Sequence, residues 1–169
     1  MKNTFIFNSV FMLLAELVCN IHALKAQPFT EIANHGLPAV MQGVVKWADF
    51  DNDGDLDVFM TGNSNFFSPN PSAMTRIYKN VGNNQFVFAT QNFVQLYASY
   101  AEVLDFNNDS KLDVIISGLL NNSEFSMLYI NKGNFIFEPV NDTLPQVQLS
   151  SIAAADINND GFTDFAITG

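Results

Sequence analysis

Nine residues, Asp49-Phe50-Asp51-Asn52-Asp53-Gly54-Asp55-Leu56-Asp57, set a carboxylate at every second position between apolar neighbours. So many like charges in a short loop repel one another unless a cation or a dense set of donors sits among them, which leaves the stretch few ways to fold. It returns as Asp105-Phe106-Asn107-Asn108-Asp109-Ser110-Lys111-Leu112-Asp113 and as Asp156-Ile157-Asn158-Asn159-Asp160-Gly161-Phe162-Thr163-Asp164, with an acid at positions one, five and nine each time. A chain that repeats such a segment is assembled from repeated units, and the period has to be found before any strand is assigned.

The copies start at 49, 105 and 156, so the intervals are 56 and 51 residues. A second marker accounts for the difference. Tyr78-Lys79-Asn80-Val81-Gly82-Asn83 recurs 51 residues on as Tyr129-Ile130-Asn131-Lys132-Gly133-Asn134, and each tyrosine stands 27 residues before the next acidic turn. The period is therefore 51, with five additional residues in the first unit between Asp57 and Tyr78. Residues 63–72, dense in Asn and Pro, read as the loop that holds them.

One unit reads as four strands. The first covers 44–50, with counterparts at 100–106 and 151–157. The second follows the acidic turn at 57–62, 113–118 and 164–169, apolar on both faces and stopped by glycine. A hairpin of 76–78 with 86–88, repeated as 127–129 with 135–137, supplies the third and fourth strands. Its Asn and Gly residues take the positive backbone angles of a tight turn. Four antiparallel strands per unit of about 40–50 residues is the pattern of a β-propeller blade, so the expected fold class is all-β. The expected organisation is a displaced outer strand at 29–40, a blade at 41–92, a second at 93–143, and the first half of a third at 144–169. Propellers close with roughly four to eight blades, so this one is incomplete and the sequence reads as a fragment of a longer protein. An open stack of blades, or assembly from several chains, is the alternative reading.

A hard cation such as calcium takes six to eight oxygens, so a short loop has to aim alternate side chains inward and lend a carbonyl. The first turn meets that demand with the carboxylates of Asp49, Asp51, Asp53 and Asp57 and the backbone carbonyl of Asp55, while Gly54 permits the bend. An EF-hand loop is excluded, because position twelve is Met60 where a bidentate Glu is required, and the flanks read as strands. The competing reading is that Asp and Asn side chains merely cap their own backbone in these turns.

The pattern Asp-apolar-Asp-x-Asp-Gly-x-x-Asp followed by an apolar strand, then Tyr-x-Asn-x-Gly-Asn and a Phe, resembles the FG-GAP/VCBS repeats of integrin-α-type propellers, nearer the VCBS variant because clear Phe-Gly and Gly-Ala-Pro segments are lacking. The resemblance covers nearly all of the chain past residue 26 and implies a calcium site in the turn between strands one and two of each blade, three in all. It implies that the second site uses Asp105, Asn107, Asp109, the carbonyl of Lys111, and Asp113. The third would use Asp156, Asn158, Asp160, the carbonyl of Phe162, and Asp164. Each replaces one carboxylate by an amide, and the second adds Ser110 and Lys111, so the first site is expected to bind tightest and the second weakest.

With 7 basic and 17 acidic residues the formal net charge is -10, which excludes a nucleic-acid partner that needs Lys and Arg to neutralise phosphate. Eleven of the 17 acids lie inside the three turns, so the acidity is local. Lys2, the apolar-rich run 5–19 and the stretch ending at Ala26 have the layout of a secretory signal peptide cleaved after Ala26, with a retained membrane helix as the bland alternative. Beyond it the chain has no cysteine and a single histidine, His35, expected in an exposed loop. No nucleophile-base pair can be assembled, and the expectation is that the chain is not an enzyme. The leading expectation is a secreted or cell-surface binding or adhesion module, with calcium as its staple and a protein or glycan as its partner. The alternative is a non-catalytic scaffold of an extracellular polysaccharide-degrading or other hydrolytic enzyme. Phe66 and Phe67, in the expanded loop, are either a contact for the partner or a pair that folds back on its own loop.

Overall fold

Short runs of β-branched, aromatic and small residues on either side of each acidic turn pair as antiparallel strands. β1 (Met41–Ala48), β2 (Asp57–Asn63), β3 (Ala73–Asn80) and β4 (Phe86–Thr90) form one four-stranded sheet in chain order. β5 (Tyr97–Leu104), β6 (Asp113–Leu120), β7 (Ser123–Asn131) and β8 (Phe137–Pro139) form a second in the same order, and β9 (Ser151–Ala155) pairs with β10 (Asp164–Thr168). The computed structural model describes residues 30–65, 72–90, 92–140 and 144–169, and among these residues there is no helix. Phe29, Phe66, Phe67 and the leader expected at 1–26 lie outside the described residues. The expected blades are present as two complete meanders and a two-stranded sheet, and the described residues do not close a ring.

The sheet register explains the unequal spacing of the repeats. Gly62 faces Met74, whereas Gly118 faces Phe125, so the five additional residues lie in the β2–β3 connection. The neck of that connection is tied by Asn63, whose Oδ1 accepts from the N–H groups of Asn65 and Ser72 at 2.9 Å each.

Several strand limits differ from those read in the sequence. The first strands end at Ala48, Leu104 and Ala155, two residues short of the expected ends. The reason is local: the N–H of Phe50, Phe106 and Ile157 turns to Oδ2 of Asp57, Asp113 and Asp164 and leaves the ladder. β8 starts at Phe137, not at 135, because Asn134 and Phe135 take positive φ (51° and 60°) and belong to the hairpin turn. Phe137 lies one period of 51 residues after Phe86, the first residue of β4. Nor do Gly62 and Gly118 stop their strands. They lie inside β2 and β6, opposite irregular pairings in which Gln42 and Ala98 have positive φ (52° and 46°). A Cβ on Gly62 would stand 2.7 Å from the Met41 carbonyl oxygen, so glycine here makes room for the bulge of β1.

Residues 30–40, within the stretch expected to hold a displaced outer strand, join no sheet among the described residues. The segment instead caps the outer face of the first sheet. Leu37 and Val40 pack on Val58, Met60, Met74 and Tyr78, and the His35 carbonyl accepts from the Phe86 N–H at 2.9 Å. His35 is half-buried, not exposed, and its Nδ1 accepts from the Leu37 N–H at 3.1 Å.

Alternation along β2 and β6 builds two seams. Phe59 points to one face with Ile77, and meets Val114, Ile116, Tyr129 and Phe137 of the second sheet around Phe93 and Leu96 of the link. Phe93 is the hub, with ring centroids 5.5 Å from Phe59, 4.9 Å from Tyr129 and 5.0 Å from Phe137. Ile115 points the other way and packs with Leu104, Leu128 and Ile152. Burying each such side chain stabilises the stack by roughly 1.5–3 kcal/mol. The links are fixed by a repeated glutamine. The amide of Gln95 accepts from the Thr75 N–H (3.0 Å) and donates to the Thr75 carbonyl (3.2 Å), and Gln146 does the same to Ser126 (3.0 and 3.4 Å).

Candidate metal centre

Each acidic turn is held by one set of hydrogen bonds. The first Asp accepts from the N–H groups of positions five and six: Asp49 from Asp53 (3.1 Å) and Gly54 (2.9 Å), Asp105 from Asp109 (3.1 Å) and Ser110 (2.9 Å), Asp156 from Asp160 (3.2 Å) and Gly161 (2.9 Å). The fifth-position carboxylates of Asp53, Asp109 and Asp160 accept from the N–H of position seven. Position nine ties the turn to the sheet, for the buried Asp57 also accepts from the Asn80 N–H (2.9 Å) and the buried Asp113 from the Asn131 N–H (2.8 Å). Burial pushes the Asp57 and Asp113 carboxyls above the usual carboxylate range, against the pull of those backbone donors. Self-capping, the competing reading, is thus present in all three turns. Each capped oxygen still has a second lone pair.

What distinguishes the first turn is convergence. Asp49, Asp51 and Asp57 each bring an oxygen to within 4.8 Å of the others. Asp51 Oδ1 is shielded from solvent and has no hydrogen-bond partner, an acceptor with no donor to meet. Its other oxygen, Oδ2, receives the ammonium of Lys79, which also stands 2.7 Å from Asp53 Oδ2. Those bonds, with Asp51 first, hold the Lys79 ammonium well above its usual range, and they lower the carboxyl of Asp53. In the other two turns position three is an amide that bonds to position five. Asn107 Nδ2 donates to Asp109 Oδ2 at 3.3 Å, and Asn158 Nδ2 to Asp160 Oδ2 at 3.0 Å. Lys111 Nζ lies 3.0 Å from Asp109 Oδ2 and holds that carboxyl down. Among the described residues, the three-carboxylate convergence occurs in the first turn alone.

The turns are also linked to one another. Asn52 Nδ2 donates to the Ser110 carbonyl (3.1 Å) in the second turn, and Asn108 Nδ2 to the Gly161 carbonyl (2.5 Å) in the third. In both donors the backbone is left-handed, with φ of 59° and 57°. A third bridge is buried: Asn131, fully enclosed at the end of β7, donates from Nδ2 to the Phe50 carbonyl at 2.9 Å.

The FG-GAP-like repeat family model matches the chain twice, over residues 49–116 and 105–167. Each match opens on the first Asp of a turn and ends in the second strand of the following unit. The chain belongs to the FG-GAP-like repeat family. No curated protein and no solved structure matches it. In this FG-GAP-like chain, Asp49, Asp51 and Asp57 are brought together, whereas Asp53 faces Lys79 and Asp55 is exposed. The second set (Asp105, Asn107, Asp109, Lys111, Asp113) and the third (Asp156, Asn158, Asp160, Phe162, Asp164) share the same backbone frame without that convergence. Three participants went unread in the sequence: Lys79, Asn52 and Asn131. Lys79 is 28 residues from Asp51 and Asn131 is 81 from Phe50, so spacing within a turn holds no trace of them.

The donor set of the first turn suits a hard cation. Acceptor-only oxygens of three carboxylates converge, and one is buried without a partner.

Proposed function

We propose that this chain is the blade-forming part of a secreted or cell-surface binding module, without catalysis of its own, in which calcium held by the acidic turns stiffens one end of the blades. The observation that carries this reading is the convergence of Asp49, Asp51 and Asp57 around an orphan carboxylate oxygen. In the first turn Asp49, Asp51 and Asp57 would hold the ion, with Asp53 joining once it is free of Lys79. The other two turns would hold it more weakly, through Asp105, Asn107 and Asp113 and through Asp156, Asn158 and Asp164. Calcium there supplies charge neutralisation for a crowded loop. The opposite end of the blades, formed by the β2–β3 and β6–β7 connections and the links, is left for a protein or glycan partner.

Extracellular modules bind calcium with dissociation constants of about 10⁻⁴ to 10⁻³ M, so 1 mM calcium stabilises an occupied site by about 0.4 to 1.4 kcal/mol. Calorimetric titration with calcium, repeated on Asp49→Ala, checks the reading. Heat and a raised melting temperature in the parent chain, reduced in the variant, are expected. A parent chain that gives neither would overturn it.

A further inference from the structure

Lys79 lies on β3, reaches into the first acidic turn, and bonds two carboxylates that a cation would use. Its place in the second unit is taken by Ile130, and the place of its partner Asp51 by Asn107. The extra carboxylate and the lysine therefore occur together in one blade and are both missing from the next. A charge that appears only with its countercharge indicates compensation. Yet the compensation is partial: the ammonium engages Asp51 Oδ2 and Asp53 Oδ2, while Asp51 Oδ1 stays buried and unpartnered. An ammonium is a single charge with three donors, whereas a dication draws six to eight oxygens around itself and can use both oxygens of a carboxylate. The ammonium also stands over the ring of Phe135, on the hairpin of the next blade, 5.5 Å from its centroid, a cation–π contact already made while it bonds both carboxylates.

We propose that Lys79 is a tethered cation that closes the first turn in the absence of metal, and that a divalent ion enters by displacing its ammonium from Asp51 and Asp53. The inference rests on the calcium reading of the turns. It adds that the first turn, with the most carboxylates, binds below the strength its charge would give, because every binding event has to break two charge-assisted hydrogen bonds.

The test compares the parent chain with Lys79→Met and Lys79→Arg, using calcium alone in calorimetry and terbium as a luminescent probe. Trp47, the only tryptophan in the sequence, stands two residues before Asp49 and is expected to sensitise terbium bound in the first turn. Lys79→Met should tighten terbium and calcium binding there about tenfold, the equivalent of one charge-assisted hydrogen bond, while Lys79→Arg stays near the parent. In the parent chain, modification of Lys79 by an amine-reactive acetylating reagent should accelerate when calcium is added, a readout that needs no variant to fold. Calcium binding that persists with unchanged affinity in Lys79→Met, or Lys79 reactivity that calcium does not alter, would overturn the proposal and leave the calcium reading intact. No binding in either protein would instead overturn the calcium reading on which it stands.

Discussion

Asn80 and Asn131 stand one period apart and do the same local work, which makes them a controlled comparison of one contact. Each donates its N–H to the last Asp of its turn, accepts the N–H of the glycine two residues on (Gly82 at 2.9 Å, Gly133 at 2.8 Å), and donates from Nδ2 to Leu56 or Leu112 at 3.1 Å. They differ in surroundings. The Asn80 amide bond is exposed, whereas Asn131 is fully buried and also reaches the Phe50 carbonyl of the preceding blade at 2.9 Å. In Asn80→Ala, water can replace the exposed partner, so two modest bonds are lost for about 1–2 kcal/mol. In Asn131→Ala the enclosed Phe50 carbonyl loses its donor at a site shut off from bulk water, so the loss should reach about 4 kcal/mol. The difference of about 2–3 kcal/mol is a factor of roughly 30 or more in the folding equilibrium. Urea unfolding of both variants, followed by Trp47 fluorescence and circular dichroism, measures it. Equal costs within about 0.5 kcal/mol would show that the bridge between blades contributes nothing and would refute the argument.

Other outcomes follow from the seams and the bulge. Phe93→Ala removes the hub of the first seam and should cost about 3–5 kcal/mol in the same unfolding experiment, more than any single substitution on the exposed face of β4. Tyr129→Phe leaves the Val94 N–H without its phenol acceptor (2.9 Å) and should cost about 1–2 kcal/mol. Burial raises the Tyr129 phenol above its ordinary value, so its stabilising contribution is fully present below pH about 10 and is lost as pH rises through the raised value; thermal melts across that alkaline window should slope more in the parent than in Tyr129→Phe. Gly62→Ala drives a methyl group into the Met41 carbonyl at a φ of 144° and should cost at least about 1–3 kcal/mol, measured as a lowered melting temperature.

The period, the order of strands and the acidic turns were legible because each depends on residues close together in sequence and recurs. The fourth strand of the second unit was not. Phe135-Ile136-Phe137 alternates like a strand, but only the last of the three stands where the register with β7 begins, and a phenylalanine with positive φ at 135 is a choice that propensity does not announce. The glycines at 62 and 118 were visible, though their role was not, because the bulge they accommodate lies on another strand. The first turn was read from its own nine residues. The ammonium that fills part of it comes from β3, and the amide that crosses to its Phe50 carbonyl from β7, so both required the fold.

The asparagine bridges along the acidic turns have a sense of direction. Each turn offers a side-chain donor to its successor and a backbone acceptor to its predecessor, so that Asn159 is left as a donor without a carbonyl and the Gly54 carbonyl as an acceptor without an amide among the described residues. Such a row is polar in the way a filament is polar. A further blade that repeated this contact would add head to tail, through a heterologous contact. A twofold pairing of like ends would set carbonyl against carbonyl at the Gly54 face, and so could not repeat the amide-to-carbonyl contact that joins successive turns.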